Sequence, residues 1–161
     1  MITKTDIHVD LIALQQHYYE NIDNWPNFEN RICLNNYTGA DDYEKNASLR
    51  MIYTEFPYMN SIFKNTVWED TLKLLPGKIG RARLMFMNPR ASLSKHRDFE
   101  ARWQLAIFTD PRCTIYDCDN DQNYHIPADG YFYKLDARQY HAAYNNTDDF
   151  IRVSLVVAEY V

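Results

Sequence analysis

The sequence predicts a mainly β protein, a barrel or sandwich of the jelly-roll type with a few helices on one outer face. From Lys78 onward the chain breaks into short runs rich in Ile, Leu, Val, Phe and Tyr, separated by turn-forming clusters. About seven or eight closely spaced strands are expected there, more than one flat hairpin sheet would hold. The aromatic share of 15%, with 13 Tyr, favours the half-buried pleated surface of a sheet over a helical bundle. Helical periodicity is confined to the first 77 residues, which are too weakly apolar to stand alone.

Ile7, Leu11, Leu14 and Tyr18 recur at three- to four-residue spacing. They predict an amphipathic helix from Asp6 to about Asn21, started by Thr5 or Asp6 and ended by Trp25-Pro26-Asn27. Arg31 to Asn36 reads as a short strand, and Asn35 to Asn46, rich in Asn, Asp, Gly and Tyr, as a loop. Asn65-Thr66, followed by Val67, Trp68, Leu72, Leu74 and Leu75 and then Pro76-Gly77, reads as a capped helix with a clean stop. In the β region, Asn88-Pro89, Asp110-Pro111, Asp117 to Asn123, Pro127 to Gly130 and Asn145 to Asp149 mark the turns. The expected organisation is one domain over 1–161: a helical and loop support region, 1–77, packed against a β core, 78–161. No internal repeat or low-complexity segment interrupts it.

The formal net charge of -5 is scattered along the chain, without the Lys/Arg stripe that a phosphate backbone requires, so nucleic acid is not an expected partner. No stretch is apolar and long enough to span a bilayer, and the N-terminus lacks a secretory pattern, so a cytoplasmic location is expected. Cys33, Cys113 and Cys118 have no paired spacing and read as free thiols, neither a disulfide framework nor a zinc site. The Asn-x-Ser/Thr triplets at Asn46 and Asn145 read as chance matches.

The first chemical signal is His96-Arg97-Asp98. Residues i and i+2 on a strand share a face and can grip one ion together. With a second imidazole this becomes the two-histidine, one-carboxylate set that binds iron(II) and leaves positions open. His141, at the start of a later run, is the natural third member. A lone His-x-Asp is weak, because a strand histidine is more often a hydrogen-bonded core or surface residue. Arg152 strengthens it. It stands within the apolar run Phe150 to Val157, where a buried guanidinium is costly unless an anion meets it, and its planar fork suits a carboxylate. Ser154, on the same face, could add a hydrogen bond. The competing account pairs Arg152 with Asp148 or Asp149, or leaves it in solvent.

His96-x-Asp98, then His141, then Arg152 resembles the 2-oxoglutarate/iron(II) oxygenases. The surrounding residues look like the aspartyl/asparaginyl β-hydroxylase branch, which includes free-proline cis-hydroxylases. The similarity runs from about Gly80 to Ala158. It rests on Gly80-Arg81-Ala82-Arg83-Leu84, on Asn88 to Asp98, and on Gly130 to Asp136 leading to His141 and Asn145. The resemblance implies a double-stranded β-helix of the cupin-like kind. It implies Fe(II) held by His96, Asp98 and His141, 2-oxoglutarate held at its distal carboxylate by Arg152, and O₂ as oxidant. The branch also carries Arg-x-His on the strand after the ligand pair. Here Arg102 matches, and Gln104 replaces the histidine but can still donate a hydrogen bond. The implied reaction is hydroxylation of a C–H bond of an amino acid, free or in a peptide or protein, with release of succinate and CO₂. Asp98 occupies the place that a halide would need, so hydroxylation is expected over halogenation.

Trp103, Tyr131, Tyr133, Tyr140 and Tyr144 could line the barrel mouth, although core positions are the commoner fate of such residues. Arg81, Arg83, Arg90 and Arg138 read as solvated. His8, His17 and His125 read as structural or exposed. The alternatives are a redox-neutral cupin-type metal protein, which leaves Arg152 without an anion, and a non-catalytic binding module, against which retention of all four residues counts.

Overall fold

The computed structural model describes residues 1–48 and 52–161. In chain order the elements are β1 (Ile2–His8), α1 (Leu11–Asn21), β2 (Arg31–Cys33), β3 (Asn35–Asn36), α2 (Lys45–Ser48), β4 (Tyr58–Met59), α3 (Val67–Lys73), β5 (Ile79–Met87), β6 (Ser92–His96), β7 (Arg102–Phe108), β8 (Cys113–Asp117), β9 (Gln122–Tyr124), β10 (Tyr131–Leu135), β11 (His141–Asn145) and β12 (Arg152–Glu159). Four of the five turn clusters read from the sequence after Lys78 fall between two of the eight strands β5 to β12 or at the end of one, and the fifth, Asp117 to Asn123, extends into the short strand β9.

Two antiparallel sheets make the body. The larger has the order β1-β10-β7-β12-β5-β2 and the smaller β6-β11-β8-β9. The strands from β5 to β12 enter the two sheets in alternation, except that β8 and β9 form a hairpin in the smaller one. This winding is a double-stranded β-helix. It sets β7, β12 and β5 side by side although about fifty residues separate β7 from β12.

The larger sheet is apolar on its outer face. Ala82, Leu84, Leu105, Ile107, Val153, Leu155 and Val157 alternate outward and meet Leu14 of α1 and Trp68 and Leu72 of α3. Strand periodicity on one side meets helical periodicity on the other, which is why the helices dock there. A second apolar cluster, with Met87, Ala106, Ile115, Leu135 and Ala143, lies between the two sheets.

The start of the chain differs from expectation. Ile2 to His8 is a strand, which takes Asp6 to His8 out of the expected helix, and it pairs with β10 at the edge of the larger sheet. Ile2, Thr3, Thr5 and Ile7 are β-branched and stiff, which favours a pleated edge over a helix. The helix begins after Asp10, whose carboxylate accepts from Ala13 N at 3.1 Å. At the opposite edge β2 pairs with β5; the strand expected over Arg31 to Asn36 is present as β2 and β3, which enter different sheets. Thr66 precedes α3 but directs its hydroxyl to Phe63 O at 2.6 Å instead of capping the helix.

Gly130, in the turn before β10, has φ +81, and a Cβ there would lie 3.0 Å from His8 Nε2. The turn and the close approach of β1 both require glycine. Cys33 and Cys113 are buried, Cys118 is half-buried, and none is paired. Asn46 and Asn145 are fully buried. Among the described residues no helix is long and apolar enough to cross a membrane.

Candidate metal and anion site

The smaller sheet brings the three metal-binding candidates together. His141 opens β11 and lies in register with His96, the last residue of β6, with ring centroids 4.4 Å apart. Asp98 follows just beyond the end of β6, where its backbone N–H donates to Ala137 O at 2.8 Å. The pair therefore straddles the strand end; the expected strand does not continue through both residues. One donor atom from each of the three lies within 4.8 Å of the others, and among the described residues this is the one such group of His, Cys, Asp or Glu.

The imidazoles are held in the same way. Nδ1 of His96 lies 2.7 Å from Ser94 O, and Nδ1 of His141 lies 2.9 Å from Gln139 O. A carbonyl oxygen only accepts, so each Nδ1 carries the proton and each Nε2 is left with its lone pair. Metal-bound histidines are oriented by this kind of outer bond. Burial holds the His141 imidazole below the usual histidine range, which keeps it neutral. The donors, their tautomers and their spacing fit a divalent metal of the iron class.

Across the barrel, the larger sheet presents arginines. The cavity, about 550 Å³, has His96, Asp98 and His141 on one wall and Arg81, Arg83, Arg102 and Arg152 on the other. Arg152 opens β12 and is 7% exposed. Its Nε is buried with no acceptor, and burial lowers its pKa. It does not pair with Asp148, which instead holds Arg90 at the surface. An orphaned buried guanidinium facing a cavity is the counterpart an anionic ligand needs.

Arg102 is in the wall too, but its fork is already engaged. Nε donates to Asp98 at 3.3 Å and Nη2 contacts Glu100 at 2.9 Å. Burial lifts Glu100 above the usual carboxylate range against the pull of Arg102. Arg102 thus steadies Asp98 from behind. Gln104, two residues on, shares the cavity wall. Ser154 is buried on the Arg152 face of β12, but Arg152 and Val156 form the wall there.

Arg81 and Arg83 depart most from expectation, since both are buried in the wall instead of solvated. Their signal was present: two arginines at i and i+2 inside an apolar strand, the pattern that singled out Arg152. Arg31 of β2 joins them and carried no such signal. Arg90 and Arg138 do lie at the surface, paired with Asp148 and Asp136.

None of the five aromatic candidates lines the cavity. Trp103 and Tyr133 are buried in the two clusters, while Tyr140 and Tyr144 are exposed. The remaining histidines have structural partners: His8 meets the Tyr131 ring, His17 accepts from Trp68 Nε1 at 3.1 Å, and His125 Nδ1 lies 2.9 Å from Cys113 O.

Two solved structures share the architecture. One is an oxidoreductase of the 2OG-Fe(II) oxygenase family from Burkholderia pseudomallei, at 13% identity and TM-score 0.52, aligned over 98% of this chain and 82% of that one. The other is SnoN, a non-heme alpha ketoglutarate dependent epimerase from nogalamycin biosynthesis, at 12% identity and TM-score 0.56, aligned over 97% and 76%. At such identity the likeness shows the fold. No curated protein matches by sequence. The family model of the aspartyl/asparaginyl β-hydroxylases matches residues 8–159, which carries the resemblance through the N-terminal region as well as the β core, and the chain belongs to that family.

Proposed function

We propose that the protein is a 2-oxoglutarate- and Fe(II)-dependent dioxygenase that hydroxylates a C–H bond of an amino acid, free or within a peptide or protein, using O₂. The observation that carries this is the placement of a three-donor group and an orphaned arginine on facing walls of one cavity. When bound, the iron and 2-oxoglutarate supply the oxidising power, and succinate and CO₂ are released.

The chain's own residues have separable tasks. His96 and His141 offer Nε2, fixed by the carbonyls of Ser94 and Gln139. Asp98 offers a carboxylate oriented by Arg102 and fills the third protein position, which favours hydroxylation over halogenation. Arg152 would hold the distal carboxylate of 2-oxoglutarate, and Arg102 and Gln104, on the same cavity wall, would serve the carboxylate beside the keto group. Leu93, Ile115, Leu135, Ala143 and Val156 line the rest and keep the reacting centre dry. The unpaired thiols suit a reducing compartment, and we place the protein in the cytoplasm.

A redox-neutral cupin-type metal protein gives Arg152 no anion, and retention of all three metal-binding candidates together with Arg152 counts against a non-catalytic module on the same barrel. Anaerobic titration of the Fe(II)-loaded protein with 2-oxoglutarate separates these readings. The oxygenase gives a weak visible charge-transfer band that is lost in Asp98→Ala and His141→Ala, and coupled succinate release on admission of air. No band and no affinity for 2-oxoglutarate would falsify the proposal.

A further inference from the structure

The cavity carries more positive charge than the proposed cofactors neutralise. Among the described residues five arginines form its wall, Arg31 on β2, Arg81 and Arg83 on β5, Arg102 on β7 and Arg152 on β12, against the carboxylates of Glu29 and Asp98. Glu100 adds a third carboxylate through Arg102. A divalent ion brings two positive charges and 2-oxoglutarate two negative ones. The cofactors therefore cancel, and the wall keeps the excess of two positive charges that it has without them.

Position narrows where that excess lies. Arg152 is assigned to the cosubstrate, and the Arg102 fork is held by Asp98 and Glu100. Arg31 and Arg83 remain, on adjacent strands, with Arg81 beside Arg83. Arg31 lies opposite Met85 in the β2–β5 pairing, which makes it the diagonal neighbour of Arg83 on one face, within reach of a shared ligand. Arg83 Nη1 donates to Ala47 O at 3.1 Å, and Arg81 Nη1 to Asn46 O at 2.8 Å. The backbone acceptor orients the Arg83 guanidinium without neutralising it. Arg31 Nε is buried with no acceptor, and Glu29, 3.7 Å from its Nη1, has a largely exposed side chain.

Holding such groups charged in a buried wall is costly without a counter-ion. Burial and mutual repulsion push Arg83 down to about 9 and Arg81 down to about 10, so both stay charged at neutral pH.

We propose that the substrate is a small molecule with two negative charges, one acid group of which, a carboxylate or a phosphate, is seated on Arg31 and Arg83, with the reacting C–H bond turned toward His96, Asp98 and His141. The orientation rests on the oxygenase reading; the charge excess does not. Within the amino acid class, this selects free acidic derivatives over neutral amino acids and over single residues inside a protein chain.

The test is calorimetry on the full chain loaded with Mn(II), which does not turn over, titrated first with 2-oxoglutarate and then with four probes. These are L-proline, a blocked Gly-Asp-Gly peptide with one carboxylate, N-acetyl-L-aspartate and O-phospho-L-serine. A dianion is expected to bind at least about tenfold tighter than proline and the peptide, as charge-assisted hydrogen bonds allow. N-acetylaspartate or phosphoserine as the tighter of the two identifies carboxylate or phosphate. Arg31→Gln and Arg83→Gln should each lower that affinity by about tenfold and leave 2-oxoglutarate binding unchanged, with Arg83→Lys partly restoring it. Thermal melts confirm folding, and Arg83→Lys serves as the readout if a glutamine variant does not fold. Proline or the peptide binding as tightly, no dianion binding, or a charge preference that survives these substitutions overturns the assignment. Failure of the 2-oxoglutarate titration alone sinks the cofactor reading, and the dianion preference is then measured without it.

Discussion

The larger sheet has one face against the helices and one against the cavity, and its strands contribute alternately to both. On β12, Val153, Leu155 and Val157 enter the apolar cluster under α1 and α3, while Arg152 and Val156 face the metal candidates. On β5, Ala82 and Leu84 enter the same cluster, while Arg81 and Arg83 face the cavity. One face is held by area removed from water and has no use for charge. The other keeps buried cations that the fold alone does not satisfy. The comparison teaches that alternation in a strand identifies two environments without saying that the polar one is solvent.

The contrast can be broken from either side. The largest effect is expected at the wall opposite the arginines: His141→Ala should lower 2-oxoglutarate-dependent succinate release by about a hundredfold or more, since losing even an outer partner of a metal ligand costs roughly 10–100-fold. Leu155→Ala on the apolar face should destabilise by about 2–5 kcal/mol in denaturant melts, because the side chain is fully buried, while the 2-oxoglutarate dependence of the folded fraction stays unchanged. Arg152→Met, three residues away on the other face, should do the reverse. Metal-free protein should melt at the same temperature or higher, because an uncompensated buried charge is replaced by an apolar side chain. The concentration of 2-oxoglutarate needed for half-maximal turnover should rise by roughly 10–100-fold. The smallest effect belongs to Arg90→Ala. Its partner Asp148 is exposed, and stability should move by no more than about 0.5 kcal/mol. A large loss of stability in Arg152→Met would mean that its guanidinium supports the fold, and the distinction between the two faces would fail.

Much of this was legible in the sequence. The five turn clusters after Lys78 mark five of the seven junctions between the eight strands because Pro, Gly, Asn and Asp act locally, and the β6–β7 and β10–β11 junctions carried no such cluster. His96 and Asp98 are legible as candidates by their i, i+2 spacing, His141 as the histidine that completes the set, and Arg152 by its place in an apolar run, and the winding of the barrel does bring all four to one cavity. What escaped depends on long-range pairing. Ile2 to His8 becomes a strand because β10 offers it an edge, and Ile7 fits a helical period by coincidence. The i, i+2 pair Arg81 and Arg83 was a readable signal, but the cover over it was not: α2, whose Asn46 and Ala47 carbonyls accept from the two guanidiniums, lies more than thirty residues away in the chain. Arg31 opens the strand expected over Arg31 to Asn36, but its place in the cavity depends on the pairing of that strand with β5, which the local sequence does not contain. The engagement of Arg102 by Glu100 was equally invisible, since a carboxylate two residues from an arginine is commonplace at a surface.

The buried arginine row also bears on how the protein is handled. A ligand that binds only the folded chain adds RT ln(1 + [L]/Kd) to its stability, about 2.7 kcal/mol at a hundred times Kd. Any small anion that enters the cavity acts in this way, whether or not it is a substrate. The melting temperature is therefore a property of the buffer as well as of the fold, and preparations in phosphate, citrate or chloride are three different starting points for purification, storage and ligand screening.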